Sequence, residues 1–156
     1  MSRLHTVDAL RIRAPRERIF EAAAALERWP EWLRHYRWVR WHRRDGDTGL
    51  VEMACWRPFG PVGWPCWWLS EVTIDRAAQA IRFRHVRGIT TGMDVAWEIV
   101  PDGDGCDVRI LHWWDGPAWG PLRHPAAHWV IGPVFVHGIA GRTLRGFRAH
   151  LEAGHA

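Results

Sequence analysis

The chain has 156 residues, 47% hydrophobic and 24% charged, with a formal net charge of +4. That length suits a single domain spanning 1–156, large enough to bury a core without disulfide staples. All 21 basic residues are arginine, which excludes Schiff-base and phosphate-loop lysine chemistry; no run approaches the roughly 20 apolar residues of a membrane helix, and no signal-peptide core opens the chain.

Residues 4–13 alternate well enough for a first strand. Ala14-Pro15 follows, with Pro15 suited to a helical first turn, and Ile19, Phe20, Ala23 and Leu26 mark one helical stripe. Pro30 is expected to end or kink that helix, leaving a second short helical turn to carry Trp32 and Leu33. Further strands are expected at 36–43, 49–57, 66–75, 79–87, 91–100 and 106–115. Asp45-Gly46, the loop Gly60-Pro61-Val62-Gly63-Trp64-Pro65 and Asp102-Gly103-Asp104-Gly105 punctuate them. Alternation puts Trp68, Ser70, Val72 and Ile74 on one face. It does the same for Met93, Val95, Trp97 and Ile99, and for Val108, Ile110, His112 and Trp114. From about Pro125 to Glu152 the period is helical, with Val136, Ala140, Thr143, Leu144, Phe147 and Leu151 as its apolar stripe. Pro133 should kink or split this helix. Gly138, Gly141 and Gly146 cost helix propensity, and make sense where the backbone passes close to a sheet or a ligand.

The order specifies an α+β fold in which helices lie against one face of a curved antiparallel sheet of about seven strands. A cavity between sheet and long helix is then the natural place for a small molecule. Thirteen tryptophans exceed what such a core needs. Part of them is expected to line that cavity against a flat apolar ligand. Trp68, Trp97 and Trp114 are inward by parity, and Trp113 outward. Trp38 and Trp41 have opposite parity, so only one of them can join the lining.

Several polar residues are candidates for chemistry. Tyr36, the only tyrosine, can donate to a ligand carbonyl or act as a general acid. His112, between Ile110 and Trp114, is placed to deprotonate carbon beside a carbonyl if its pKa lies near neutral. His85 and His137 are further candidates. His124 and His128 have i, i+4 spacing, but no third ligand is evident and no metal is expected. Cys55, Cys66 and Cys106 are an odd set without C-x-x-C spacing, which argues against a disulfide framework and for the cytoplasm. Cys55 and Cys66 fall where both can face the cavity, without a basic partner to activate either. Arg34, Arg37, Arg40, Arg43 and Arg44 form a basic cluster, read as a solvated surface rather than a nucleic-acid footprint.

The segments Ala14-Pro15-x-x-x-Ile19-Phe20, Trp29-Pro30-Glu31-Trp32, Asp75 at a strand end and Ile81-Arg82-Phe83-Arg84 resemble the START-related helix-grip superfamily. Within it, the chain is most similar to bacterial polyketide aromatase/cyclases and coenzyme-Q-binding START proteins. Trp29 to Tyr36 reproduces a Trp-Pro-Glu-x-x-x-x-Tyr segment at the cavity mouth of those cyclases, and Trp68-Leu69-Ser70 reproduces a Trp-x-Ser strand. The resemblance implies a sheet gripping a long C-terminal helix around a ligand, with Trp29, Trp68, Ser70 and Val72 among the contacts. Two positions depart: Val72 stands where those cyclases carry an Arg, and His137 where they carry an Asn. The implied function is binding of a polyketide or polycyclic aromatic molecule, with cyclisation or dehydration assisted by Tyr36, Ser70, His112 and His137. The alternatives are a non-catalytic carrier of quinone or lipid, and an interaction module using the basic 34–44 segment. None requires a cofactor, nucleic acid or stable membrane insertion, and a homodimer is left open.

Overall fold

The computed structural model describes residues 4–59, 62–88, 90–116 and 136–153. Its elements run β1 (Leu4–Ile12), α1 (Arg16–Ala24), a 3-10 helix (Leu26–Glu31), β2 (Tyr36–Asp45), β3 (Thr48–Phe59), β4 (Val62–Asp75), β5 (Ala80–Gly88), β6 (Asp94–Asp102), β7 (Gly105–Trp114) and α2 (His137–Glu152). The strands form one sheet in the order β1-β7-β6-β5-β4-β3-β2, with every neighbouring pair antiparallel. β1 and β2 are therefore its two edges. The chain between them crosses the sheet face, and this carries α1 and the 3-10 helix over the core.

Local chemistry explains the boundaries. Pro15 caps α1 with an extended backbone, and α1 buries Ile19, Phe20, Ala23 and Ala24. Pro30 does not end the helical path. It lies inside the 3-10 helix, so the second helical turn covers Leu26–Glu31 and Trp32 follows as its cap. A turn this short tolerates the missing N–H, and the fixed φ of proline suits 3-10 geometry. Gly46 (φ +59°) and Gly103 (φ +62°) supply the left-handed backbone of two tight hairpins. Register shifts between Tyr36 and Trp38, Trp41 and Arg43, and Leu69 and Ser70 mark bulges that bend the strands.

Two expected boundaries move. β4 starts at Val62, so Val62–Pro65 pairs with Trp56–Phe59 instead of forming a loop. Glycine and proline look like turn residues in sequence, yet the hairpin partner holds them extended. β6 begins at Asp94, because Thr90 to Gly92 forms the turn that precedes it. The expected helical stretch 125–135, with Pro133, His124 and His128, lies outside the described residues.

Strand parity reads true. Trp68, Ser70, Val72, Ile74, Met93, Val95, Trp97, Ile99, Val108, Ile110, His112 and Trp114 are all buried. α2 covers them with Ile139, Ala140, Thr143, Leu144, Phe147 and Leu151. Of its glycines, only Gly146 has a close-packing reason: a Cβ there would collide with Leu33, whereas one at Gly138 would meet open space. Trp113 points outward and stacks on His5 at 5.4 Å.

The outer face of β2–β4 carries a different aromatic set. Trp56 and Trp67 are exposed, and the Arg37 guanidinium lies 4.6 Å from both the Trp38 and the Trp56 ring. Glu52 accepts the Trp38 indole N–H at 2.6 Å and is also hydrogen-bonded by Trp67. Burial opposes ionisation of Glu52, but these two indole donors outweigh it and hold the carboxyl below its ordinary value. Trp41 packs against the core, with its indole N–H on Glu27 at 3.2 Å. No helix among the described residues is long and apolar enough to cross a membrane.

Candidate functional site

The inner face of the sheet, the 3-10 helix and α2 border a cavity of about 60 Å³. Trp29, Trp68, Phe83 and Trp97 form its aromatic wall, and Tyr36, His85, His112 and Thr143 are its polar groups. The space admits a few water molecules. Sites for drug-sized ligands span about 300–1,000 Å³, so the space outlined by the described residues is smaller than such a site. No charged carboxylate or guanidinium lines it among the described residues.

Trp29 is the centre of the wall rather than a residue at its mouth. It is 1% exposed and donates its indole N–H to the Ala22 carbonyl at 3.3 Å. Its ring meets Tyr36, Trp97 and Phe147 with centroids 5.4, 5.4 and 5.5 Å away. Neither Trp38 nor Trp41 joins the lining.

Tyr36 sits at the start of β2, where its hydroxyl is hydrogen-bonded to Thr143 on α2. Burial is the main reason its phenol is held well above the ordinary value, with the neighbouring Cys55 adding to it. Thr143 gives its own proton to the Ile139 carbonyl at 2.9 Å. The Tyr36 hydroxyl and His35 Nε2 (3.0 Å) both meet that Thr143 hydroxyl.

His85 and His112 lie on the inner face of β5 and β7. His85 stacks on Trp68 at 5.5 Å and 16°, and its Nδ1 lies 2.6 Å from the buried Thr90 hydroxyl. The turn before β6 places Thr90 there, through bonds from His85 N to Met93 O and from Gly92 N to His85 O. Burial pushes both imidazoles down to about 3, His112 being lowered further by His85 and His137. His112 Nδ1 is buried without a partner among the described residues. The near-neutral base expected of His112 is therefore a neutral imidazole that binds protons weakly.

The remaining candidates are not brought to the cavity. His137 is at the first turn of α2, exposed, with Nδ1 2.9 Å from Asp8 of β1. Helical geometry sends Val136, Ile139, Ala140 and Thr143 into the cavity and turns His137 aside. Ser70, Val72 and Trp114 point inward but are absent from the lining among the described residues. Ser70 faces His85 across β4 and β5, its hydroxyl unpartnered among the described residues. Trp114 gives its indole N–H to Thr91 O at 3.0 Å and so braces the turn beneath His85. Cys55 and Cys66 oppose each other across β3 and β4, outside the lining. A hydrogen bond from Cys66, then burial, pushes the Cys55 thiol up, so it is no nucleophile. Among the described residues, no group of three or more His, Cys, Asp or Glu side chains could hold a metal ion.

Sequence reasoning missed Thr143 as a site residue, although a lone hydroxyl inside an apolar helical stripe was the available signal. His35 carried no such signal, because its partner is 108 positions away.

This arrangement of sheet and helices is shared with known proteins. Residues 12–134 match the family of polyketide cyclases/dehydrases and lipid-transport proteins, and the chain belongs to that family. A Streptomyces cyaneus protein that carries a polyketide-cyclase name is 29% identical over 110 residues, which covers 70% of this chain and 69% of that one. The Zhui aromatase/cyclase of a Streptomyces species superposes with a TM-score of 0.78 at 16% identity, covering 97% of this chain and 94% of that chain. A START superfamily protein from Mycobacterium smegmatis gives 0.71 at 16% identity, with 97% and 99% covered. At these identities the two structures speak for the fold.

Proposed function

We propose that the chain is a single ligand-binding domain that takes a planar, oxygenated, polyketide-like molecule into this cavity and assists its cyclisation or dehydration. The observation that carries this reading is the division of one cavity into an aromatic wall and a set of neutral polar groups, Tyr36, His85, His112 and Thr143. Aromatic faces hold a flat ring system by offset or edge contacts. Neutral imidazoles and the Tyr36 hydroxyl can each give one hydrogen bond and accept another, a pattern that suits enol or phenol hydroxyls beside carbonyls. With Val72 in place of an arginine, no guanidinium anchors a carbonyl from that position, so neutral groups do the orienting. Confinement is the main catalytic lever, since fixing an intramolecular reaction can be worth several kcal/mol, up to about 7–11.

A second reading is favoured by one observation. Imidazoles held near 3 are poor general bases, and this supports carriage of a quinone or lipid without turnover. Incubating the purified protein with a poly-β-ketone and following products by mass spectrometry separates the two. Faster formation of a cyclised product, reduced in His112→Ala, supports catalysis. Tight ligand retention with no product over background supports the carrier, and absence of any bound small molecule in native mass spectrometry with either ligand class overturns both. Either activity would be exercised in the cytoplasm and without a cofactor.

A further inference from the structure

A second polar feature lies on the surface, between the end of the 3-10 helix and α2. A shallow cleft there is lined by Trp32, Leu33, Arg34, His35, Arg142, Arg145 and Gly146. The close approach of Gly146 to Leu33 is what brings α2 arginines beside Arg34. Trp32 forms a firm wall, stacked on His150 at 4.4 Å and set edge-on to Phe147 at 4.3 Å.

The charge of this cleft is uncompensated. Several arginines elsewhere on the surface take carboxylates, among them Arg11 with Asp102 and Asp104, Arg28 with Glu31, Arg76 with Asp47 and Arg84 with Asp94. No such pair is formed by Arg34, Arg142 or Arg145 among the described residues, and no carboxylate lines the cleft. The buried His35 ring feels the result. Burial first, then the charges of Arg142 and Arg145, lower its pKa to about 4. Its other neighbours are the Tyr36 ring at 4.8 Å and the Thr143 hydroxyl, neither of which offsets that field.

We propose that this cleft is an oxyanion site, in which a phosphate group sits between Arg34, Arg142 and Arg145 above His35. Three guanidinium forks offer more donors than one carboxylate can accept, whereas a phosphate has oxygens for each. An open, shallow site suits either free phosphate or the phosphate end of a larger apolar molecule. The site is separate from the cavity and does not depend on what fills it.

The test is NMR titration at constant ionic strength, reading the arginine Nε–Hε signals of the cleft and the His35 ring. Inorganic phosphate should produce saturable shifts, with affinity falling at least tenfold in the double variant Arg142→Gln/Arg145→Gln and unchanged in Arg148→Gln, which lies outside the cleft. His35 should titrate at higher pH in phosphate, because the bound anion cancels the field. In the double variant its midpoint should already be raised and should not move further. Octyl phosphate binding about tenfold tighter than inorganic phosphate would assign the phosphate to an apolar carrier; equal affinity would assign it to the free ion. Shifts that fail to saturate, that chloride reproduces, or that persist in the double variant would overturn the proposal. Binding of an apolar aromatic probe to the cavity should be the same in all variants.

Discussion

The tryptophans of the inner wall and those of the outer face of β2–β4 are the same residue used in opposite ways. Inside, Trp29, Trp68 and Trp97 are at most 5% exposed and are packed by other rings. Outside, Trp56 remains 42% exposed and is covered on one side by Arg37, while Trp38 and Trp67 spend their N–H groups on Glu52. An excess of tryptophan is therefore not evidence for one large aromatic pocket. The inner set shapes a cavity, and the outer set stiffens an exposed sheet face through cation–π contacts, worth about 0.5–1 kcal/mol each, and indole–carboxylate hydrogen bonds, worth about 1.5–3 kcal/mol each.

The two regions should respond very differently to perturbation. The largest effect comes from acid. His35, His85 and His112 have folded values of about 4, 3 and 3, below the ordinary 6.5. Below pH 6.5 the unfolded chain takes up protons that the folded chain refuses, so stability is lost as pH falls towards those folded values. By pH 5 each contributes roughly 2 kcal/mol of loss, roughly 6 in all, out of the 5–15 typical of a domain. Urea unfolding at pH 7 and pH 5 measures this. Equal stability at the two values would show that the inner histidines are not held neutral by burial.

Next is Trp29→Ala, which removes the hub of the wall and should cost about 3–5 kcal/mol of unfolding free energy. A loss under 1 kcal/mol would mean that the wall is not the packed centre described here. Gly146→Ala should be intermediate, about 1–3 kcal/mol, because Leu33 must shift to admit the methyl group; thermal melts beside Gly138→Ala, which meets open space, provide the contrast. Smallest is Trp56→Ala on the outer face, expected to change stability by about 0.5 kcal/mol or less. A larger loss would show that the outer layer carries the fold as the inner one does.

How far these contrasts could be read from sequence depends on the range of the interactions. Strand parity is local, and it correctly placed Trp68, Trp97, His112 and Trp114 inside and Trp113 outside. Parity sorts faces, however, and does not say which inward residues touch a cavity: Ser70, Val72 and Trp114 are packed away from it. Helix register against a sheet is set by tertiary packing, so the sequence leaves the face of His137 open, and the structure has it clamp Asp8 outside the cavity. The His35–Thr143–Tyr36 arrangement joins the first residues of the β2 region to α2, and no local pattern announces it. Gly63 and Pro65 mislead for a related reason, since the partner strand overrides their turn preference.

The strand order has a kinetic side as well. β2 to β7 is a run of consecutive hairpins, whereas β1 reaches its partner across more than a hundred residues, with Leu4 opposite Trp114. Closing so long a loop is entropically unfavourable until the hairpins already exist to receive the strand. β1 should therefore be the last strand to zip on, after the meander has formed. Leu10→Ala, on the face of β1 packed against the core, should accelerate unfolding far more than it slows folding; a slowed folding limb of equal size would place β1 in the nucleus instead.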